Sequence, residues 1–355
     1  MNRDATADRL HALVQRAGQC YPNAWRDLYT WRAAHEVPEW LYVPLDAGVA
    51  AVRHGWDQQG KAETPTSRPQ LLADAGVLTL LGAWRLGRGV YEFAPELLAA
   101  LWGTPLRGQI PGEVLRQLPE FAPYLVLPPG TTYMGRPLVG VVTALDRRPD
   151  GEVSLRLLLD VPLPPTFAAL GLTFSLGLSG TLDEALEGVR VRALKNLESG
   201  ADFGGAEVDA ARTLIQGALH DEQALWSGVL SLLLYLCSRA AEYDGTARPA
   251  RATAQQQRRA QHGTAKGVQR WVLGRATAQA MRRARDGAQA SNSEGARREM
   301  PTHWRNPRWT VVWTGKGKQT PEVRWEPGLV VRADRLEEER PAVVIRLTDP
   351  SGSGS

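Results

Sequence analysis

The chain has little cysteine and no long apolar run, and both absences narrow what it can be. Cys20 and Cys237 are the only two cysteines in 355 residues, and their spacing matches no disulfide framework, zinc site or redox motif. The longest apolar stretch, 225–237, is interrupted by serine and glycine and is too short to span a bilayer. The N-terminus lacks the apolar segment of a secretory signal. These features predict a cytoplasmic protein without membrane contact.

Acidic residues are scarce in one part of the chain. Residues 1–245 contain 21 Lys and Arg against 28 Asp and Glu, a net charge of −7, whereas residues 246–332 contain 18 against 5, a net charge of +13. Concentrated positive charge is typical of a surface that binds a polyanion such as RNA. A solvated flexible arm without a single partner has the same composition, so charge alone leaves both interpretations open.

Signatures of catalysis and cofactor binding are also missing. The six histidines lack the spacing of metal ligands, and there is no Gly-x-Ser-x-Gly elbow, P-loop lysine or paired-carboxylate pattern. His303 with Arg305 and Glu322 could support RNase-like acid–base chemistry. A histidine beside Pro and Trp more often serves packing or hydrogen bonding. We therefore expect a non-enzymatic protein that uses no metal and no cofactor.

Hydrophobic periodicity predicts an α+β fold in three parts. Residues 1–245 are expected to form a main domain of helices and a mixed sheet, and residues 299–348 a small antiparallel β module rich in Trp and Arg. Between them, residues 246–298 predict a basic, partly disordered linker with a helix at about 268–285. The Ser-Gly repeat at 351–355 is typical of an appended linker.

The main domain shows a series of local signals. Helices are expected at 6–19, 23–35, 46–53, 71–84, 181–197 and 221–242, and strands at 41–43, 124–127, 138–145, 153–161 and 172–178. Thr181 and Glu184 have the spacing of a capping box at a helix start. The helix at 221–242 is the most hydrophobic and is expected at the centre of the core.

The densest aromatic and basic pattern lies between residues 301 and 327, where four of the twelve tryptophans alternate with Arg and Lys. A flat aromatic face beside a fixed positive charge suits nucleobases, phosphates or extended peptide. Because a short β module has little else to bury, some of these tryptophans must also form its core. The candidate peptide- or RNA-binding residues here are His303, Trp304, Arg305, Arg308, Trp309, Trp313, Lys316, Lys318, Arg324 and Trp325.

The alternation within this module separates its tryptophans. Trp309 and Trp313 fall on one face of a predicted strand, which makes both candidates for burial. Trp304 precedes the strand and is expected to be the exposed one. A third strand is predicted at 342–347.

A second cluster combines a Trp-Arg pair at a helix end with a short extended segment, 89–93. Its candidate binding residues are Trp84, Arg85 and Tyr91. Arg85 could simply stabilise the C-terminus of its helix, where cations are favoured. Alternatively, the cluster marks a groove for an extended ligand.

At these two clusters the sequence resembles the type V-A anti-CRISPR proteins that suppress biogenesis of the CRISPR effector nuclease. The resemblance extends loosely over about residues 20–331 and is weak between 100 and 170. Its most specific parts are 81–85 with 89–91, then 232–237, and the C-terminal block. The matching positions in that block are Pro301, His303, Arg305, Trp309, Trp313, Gly315, Gly317, Arg324, Trp325 and Pro327.

The resemblance implies a non-enzymatic inhibitor carried by a mobile element such as a phage. Such a protein is expected to bind the N-terminal segment of the effector nuclease as it leaves the ribosome, and to lower the effector's message. Residues 246–332 would then contact the ribosome or the mRNA. The family often has histidine where this chain has Arg308 and Thr310, which disfavours metal binding and histidine-based cleavage. The alternative is a phage- or plasmid-encoded RNA-binding regulator with another target.

Overall fold

Helices alternate with short strands over most of the chain. The computed structural model describes residues 3–133, 135–161, 172–199, 206–244, 248–260, 267–293 and 303–331. The helices are α1 (Arg3–Cys20), α2 (Ala24–Ala34), α3 (Leu45–Gln58), α4 (Arg68–Gly87), α5 (Pro95–Trp102), α6 (Leu182–Ser199), α7 (Ala206–Cys237), α8 (Ala254–Ala260) and α9 (Arg275–Ser293). The strands are β1 (Gly89–Phe93), β2 (Tyr124–Val126), β3 (Thr132–Tyr133), β4 (Arg136–Pro137), β5 (Gly140–Arg147), β6 (Val153–Asp160), β7 (Leu172–Gly177), β8 (Gln269–Leu273), β9 (His303–Arg305), β10 (Arg308–Thr314), β11 (Thr320–Glu326) and β12 (Leu329–Val331). Single 3-10 segments occupy Gly112–Gln117 and Lys316–Lys318.

A six-stranded mixed sheet organises these elements, in the order β7-β6-β5-β2-β1-β8. Strand β1 is parallel to both of its neighbours, β2 and β8, whereas β2, β5, β6 and β7 pair antiparallel. The pairs β3–β4, β9–β12 and β10–β11 form small antiparallel units outside this sheet. The predicted α+β class, with a mixed sheet and antiparallel hairpins near the C-terminus, is confirmed.

The sheet separates two apolar cores. Side chains of α1 to α4 pack on one face, together with Val90 and Tyr124 of the sheet. Side chains of α5, α6, α7 and α9 pack on the other face, together with Tyr91 and Phe93. Successive residues of a strand point to opposite faces, so β1 contributes to both cores. This explains why buried residues follow one another at Gly89, Val90 and Tyr91 instead of alternating with exposed ones.

Most of the predicted helices and strands are confirmed, and most of their ends differ from the predicted ones by a few residues. The capping box forms as expected, because the Thr181 amide donates to Glu184 Oε2 (2.8 Å) and the Glu184 amide donates to Thr181 Oγ1 (3.3 Å). Helix α7 begins at residue 206, well before the predicted start at 221. Helix α5 was not predicted, and the predicted strand at 342–347 lies outside the described residues.

The predicted strand at 41–43 is wrong, although its residues are buried. The Arg32 guanidinium reaches this segment and donates from Nη1 to the carbonyl oxygens of Leu41 (2.6 Å) and Tyr42. Buried carbonyl groups need a hydrogen-bond donor, and a side chain supplies it here in place of a neighbouring strand. The apolar run therefore reports burial and not sheet pairing.

Strand β8 joins the basic part of the chain to the main sheet. A helix was predicted from 268, but Gln269–Leu273 pairs with the whole length of β1, and the helix begins only at Arg275. Gly274 makes the turn between them with a φ of 72°, a conformation that favours glycine. Part of the range 246–298, assigned to a linker from its composition, thus contributes a strand to the core sheet.

A buried carboxylate lies beside β1. Glu120 is 4% exposed, and a methyl group on Gly87 or Gly89 would come within 2.6 Å or 2.2 Å of its carboxylate oxygens. Burial raises the pKa of Glu120 to about 7, against the smaller opposing effects of the Tyr91 hydroxyl and the Gly89 amide. The close approach of α4 and β1 to this side chain therefore depends on two glycines.

Substitution of Trp226 tests the core that α5, α6, α7 and α9 form on one face of the sheet. It is 1% exposed in α7 and donates from Nε1 to Glu222 Oε1 (3.2 Å). Trp226→Ala should lower the free energy of unfolding by about 3–5 kcal/mol, because it leaves a large cavity. Leu72→Ala, at a side chain that is 42% exposed, is the control for denaturant melting. Equal losses in the two variants would contradict the described core.

Glu120 should make stability depend on pH. Its pKa is about 7 in the folded protein against an ordinary value of 4.5. The stability that comes from this raised pKa is therefore fully present below about 4.5 and is lost as pH rises through 7. Glu120→Gln does not titrate, so its melting temperature relative to the parent protein should rise by a few degrees between pH 5 and pH 8. A difference that stays constant with pH would argue against a buried, titrating carboxylate.

Candidate functional site

Most of the predicted aromatic and basic residues come together on the hairpin β10–β11. The two strands pair along seven positions, with Trp309 opposite Trp325, Val311 opposite Val323 and Trp313 opposite Pro321. Directly opposed residues of an antiparallel pair share a face. The hairpin therefore has one predominantly apolar face and one polar face.

The apolar face anchors the hairpin to the main body through two tryptophans. Trp309 is 5% exposed and donates from Nε1 to Ser231 Oγ of α7 (3.1 Å). Trp325 is half-buried and donates from Nε1 to Thr104 Oγ1 (3.1 Å). A buried indole N–H needs such an acceptor, so these contacts fix both rings in place. Among the predicted binding residues, these two hold the hairpin in position.

The far end of the hairpin is exposed. Trp313 lies on the face of Trp309 but beyond the edge of the core, and 45% of it is accessible, as is 37% of Val312. Lys316 and Lys318 are both exposed in the adjoining turn. The burial of Trp309 that strand alternation predicted is confirmed. The predicted burial of Trp313 is wrong, because the core does not extend that far.

The charged side chains on the polar face differ in whether they form ion pairs. Arg308 is paired with Glu326 at 2.7 Å, and Glu322 is paired with Arg239 of the main body at 2.7 Å. Glu322 is 7% exposed and also accepts from Thr314 Oγ1, so this carboxylate has two partners already. Arg324 is exposed and has no ion pair with any other described residue.

Three predicted residues are described only by their backbone. His303, Trp304 and Arg305 form β9, which pairs antiparallel with β12. Their side chains lie outside the described part of the chain. The expected exposure of Trp304 and the proposed partners of His303 therefore remain predictions.

The second predicted cluster lies in the main body and is largely buried. Trp84 is 1% exposed and donates from Nε1 to the Gly89 carbonyl (3.3 Å), and Tyr91 is fully buried in β1. Both side chains belong to the core and do not line a surface. Arg85 is half-buried with its guanidinium 4.5 Å from the Trp25 ring centroid, and burial lowers its pKa to about 10.

A groove of about 530 Å³ lies close to this cluster. Tyr42 links the two, because its ring contacts Arg32 of the groove at 5.8 Å and its hydroxyl is electrostatically coupled to Arg85. The volume is within the usual range of ligand sites. The groove is lined by Arg32, Glu39, Leu118, Pro119, Phe121, Pro249, Ala250, Arg251, Ala252, Ala254 and Gln257.

Sequence reasoning did not find the groove residues. They come from three distant segments, and none of the segments contains a recognisable motif. The prolines at 119 and 249 were a weak signal, since both restrict the backbone of segments that are neither helix nor strand. Arg32 had no distinguishing feature within its helix.

Two general features of the described residues bear on function. No described helix is long and apolar enough to cross a bilayer. Within the same residues, no group of three or more His, Cys, Asp or Glu side chains is arranged to hold a metal ion.

Comparison with known proteins places the chain in a family. A search of curated proteins gave no match. The solved structures include a crystal structure of AcrVA2 that is similar over 92% of this chain and 98% of that chain, with a TM-score of 0.60 and 17% sequence identity, which is a likeness of fold. The profile of the AcrVA2-like family, anti-CRISPR type V subtype A2, matches residues 91–333, from β1 through the hairpin. The chain therefore belongs to the AcrVA2-like anti-CRISPR family.

Proposed function

We propose that this protein is a non-enzymatic inhibitor of type V-A CRISPR immunity that acts in the cytoplasm on synthesis of the effector nuclease. It binds the N-terminal segment of the effector polypeptide as that segment emerges from the ribosome, and binding lowers the amount of effector message and protein. Family membership supports the anti-CRISPR role. The observation that carries the peptide-binding step is the open groove lined by Arg32, Phe121 and Arg251.

The groove has properties suited to a short peptide. Its walls combine apolar side chains such as Phe121 and Leu118 with the charged groups of Arg32, Glu39 and Arg251. Ligand sites are commonly mostly apolar with a few polar groups that fix orientation. A nascent chain is unfolded when it leaves the ribosome, so a site for an extended segment would act before the effector can fold.

The hairpin fits a second role in the same mechanism. Its anchored face leaves Trp313 exposed near Lys316 and Lys318, and exposed aromatic rings with adjacent cations stack on nucleobases and neutralise phosphates. We therefore assign the peptide to the groove and the mRNA or ribosomal RNA to the hairpin. The two sites share no residue.

Co-expression with recoded effectors tests recognition of the peptide. A type V-A effector should lose message and protein when this chain is present. An effector whose first residues are replaced should be spared, because the recognised polypeptide is gone. An effector with synonymous codons over the same segment keeps the peptide and changes the RNA, so it should still be lost. Protection by synonymous recoding would contradict peptide recognition and favour recognition of the message itself.

A second candidate function is that of an RNA-binding regulator with another target, and the exposed Trp313 is the observation that favours it. Trp313→Ala should weaken binding of a labelled 12-residue oligouridylate by roughly 5- to 100-fold, the equivalent of one lost stacking contact, with little change in melting temperature. Trp309→Ala should instead lower the melting temperature, because that ring anchors the hairpin. Unchanged RNA affinity in Trp313→Ala would exclude the hairpin as an RNA-stacking surface.

A further inference from the structure

The groove contains two half-buried guanidinium groups that have no carboxylate partner among the described residues. Arg32 and Arg251 line the same cavity, and neither takes part in an ion pair within that part of the chain. Removing a cation from water is unfavourable unless an anion or several hydrogen-bond acceptors compensate. Burial accordingly lowers the pKa of both groups.

Neutral groups supply all the described contacts of Arg32. Its Nη1 donates to the carbonyl oxygens of Leu41 and Tyr42, and its Nε donates to Gln257 Oε1 at 2.9 Å. The guanidinium also lies 5.5 Å from the centroid of the Phe121 ring. These contacts fix the orientation of the guanidinium in the groove and supply hydrogen-bond acceptors, but none of them supplies a negative charge.

Arg251 has fewer hydrogen-bond partners than Arg32. Its Nη2 donates to the Arg116 carbonyl, and its buried Nε has no hydrogen-bond partner. A buried donor without an acceptor is unfavourable by itself, so the guanidinium of Arg251 is less well stabilised than that of Arg32. The backbone amides of Ala250, Arg251 and Ala252 also have no hydrogen bond to any described residue.

The two buried ionisable groups beside the arginines, Tyr42 and Cys237, are not counter-ions at neutral pH. Burial raises the pKa of Tyr42, beside Arg32, to about 12, and it raises the pKa of Cys237, beside Arg251, to about 12. Both therefore remain uncharged. Glu39 is the one carboxylate in the lining; it is exposed, and it interacts electrostatically with Arg251 without forming an ion pair. The groove thus has two cations facing one solvated anion.

We propose that this groove selects a peptide with an acidic side chain, whose carboxylate is bound by Arg251 and Arg32 while neighbouring residues lie against Phe121 and Leu118. The planar guanidinium group matches a carboxylate in geometry. The amides of Ala250 to Ala252, which have no hydrogen bond to another described residue, would donate to the main chain of an extended peptide, as in recognition by strand addition.

Charge favours a peptide over a nucleic acid in this groove. A nucleic acid carries one negative charge per nucleotide, so a strand in the groove would bring several phosphates towards two cations and the Glu39 carboxylate. A peptide with a single acidic residue matches the cation pair and keeps the rest of its length neutral. The hairpin, where Lys316 and Lys318 are exposed close to Trp313, suits a polyanion better.

The inference rests on the proposed function for the source of the peptide, and a paired substitution tests it. The probes are fluorescein-labelled 12-residue peptides covering the first 30 residues of a type V-A effector, each with a matched version in which Asp and Glu become Asn and Gln. Neutralising the bound carboxylate should weaken binding to the full chain by roughly 10- to 100-fold. Arg251→Gln should cause a similar loss, and combining the two changes should add little, because they remove the same contact.

Two further variants test the direction in which charge changes the affinity for the peptide. Glu39→Gln removes the competing carboxylate and should strengthen binding of the acidic peptide. Arg107→Gln, at an exposed arginine outside the groove, is the matched control and should leave affinity unchanged. Arg32 is not the primary target, because it also holds the backbone at Leu41 and Tyr42.

Failure of this inference and failure of the proposed function would look different. If an effector peptide binds but its neutral version and Arg251→Gln have no effect, or their effects are fully additive, the acidic-residue site is wrong and the peptide-binding function stands. If no effector peptide binds, the proposed function fails. An unrelated Ala-rich peptide with one central Glu then tests the groove independently of the proposed function. Binding that depends on Arg251 supports the acidic-residue site, and the absence of binding overturns it.

Discussion

Pairing of β1 with two parallel neighbours is the constraint on which the rest of the structure depends. This five-residue strand lies between β2 and β8 and contributes side chains to the cores on both faces of the sheet. Because β8 comes from the basic region, its pairing brings residues 248–260 back across the main body. The segment 249–252 then lies opposite Leu118 to Phe121, and the space between them is the groove. The groove and the core sheet are therefore parts of one arrangement.

Aromatic residues have two distinct roles in this protein, and burial separates them. Trp84, Trp226 and Trp309 are almost fully enclosed and stabilise the fold, and Trp84 and Trp309 donate their indole N–H groups to neighbouring oxygens. Trp313 is exposed beside two lysines at the end of an anchored hairpin. The anchoring matters because a two-stranded hairpin is only marginally stable on its own. Fixing one end to α7 and Thr104 holds the other end in place with its aromatic ring exposed.

The sequence was sufficient for the fold class and for most helices and strands, because long amphipathic and branched runs report burial reliably. The sequence-based prediction was wrong where residues are buried or paired for reasons that only tertiary contacts supply. Residues 41–43 are enclosed because Arg32 satisfies their carbonyl groups, and β8 is a strand only because β1 offers an edge. The hairpin and its candidate residues could be located from their density of Trp and Arg. The groove could not, since Arg32, Phe121 and Arg251 meet only through tertiary packing, and charge without context does not show which arginine lacks a partner.

Placement of the peptide in the groove and RNA at the hairpin is the central claim of this account. Amide hydrogen exchange of the full chain, with and without a synthetic peptide of the effector's first residues, tests it most directly. If the peptide binds in the groove, exchange should slow at residues 250–257, Leu118, Glu120 and Phe121, where unpaired amides gain acceptors and solvent is excluded, and should not change in β10 and β11. Protection confined to the hairpin, with unchanged exchange along the groove, would contradict it.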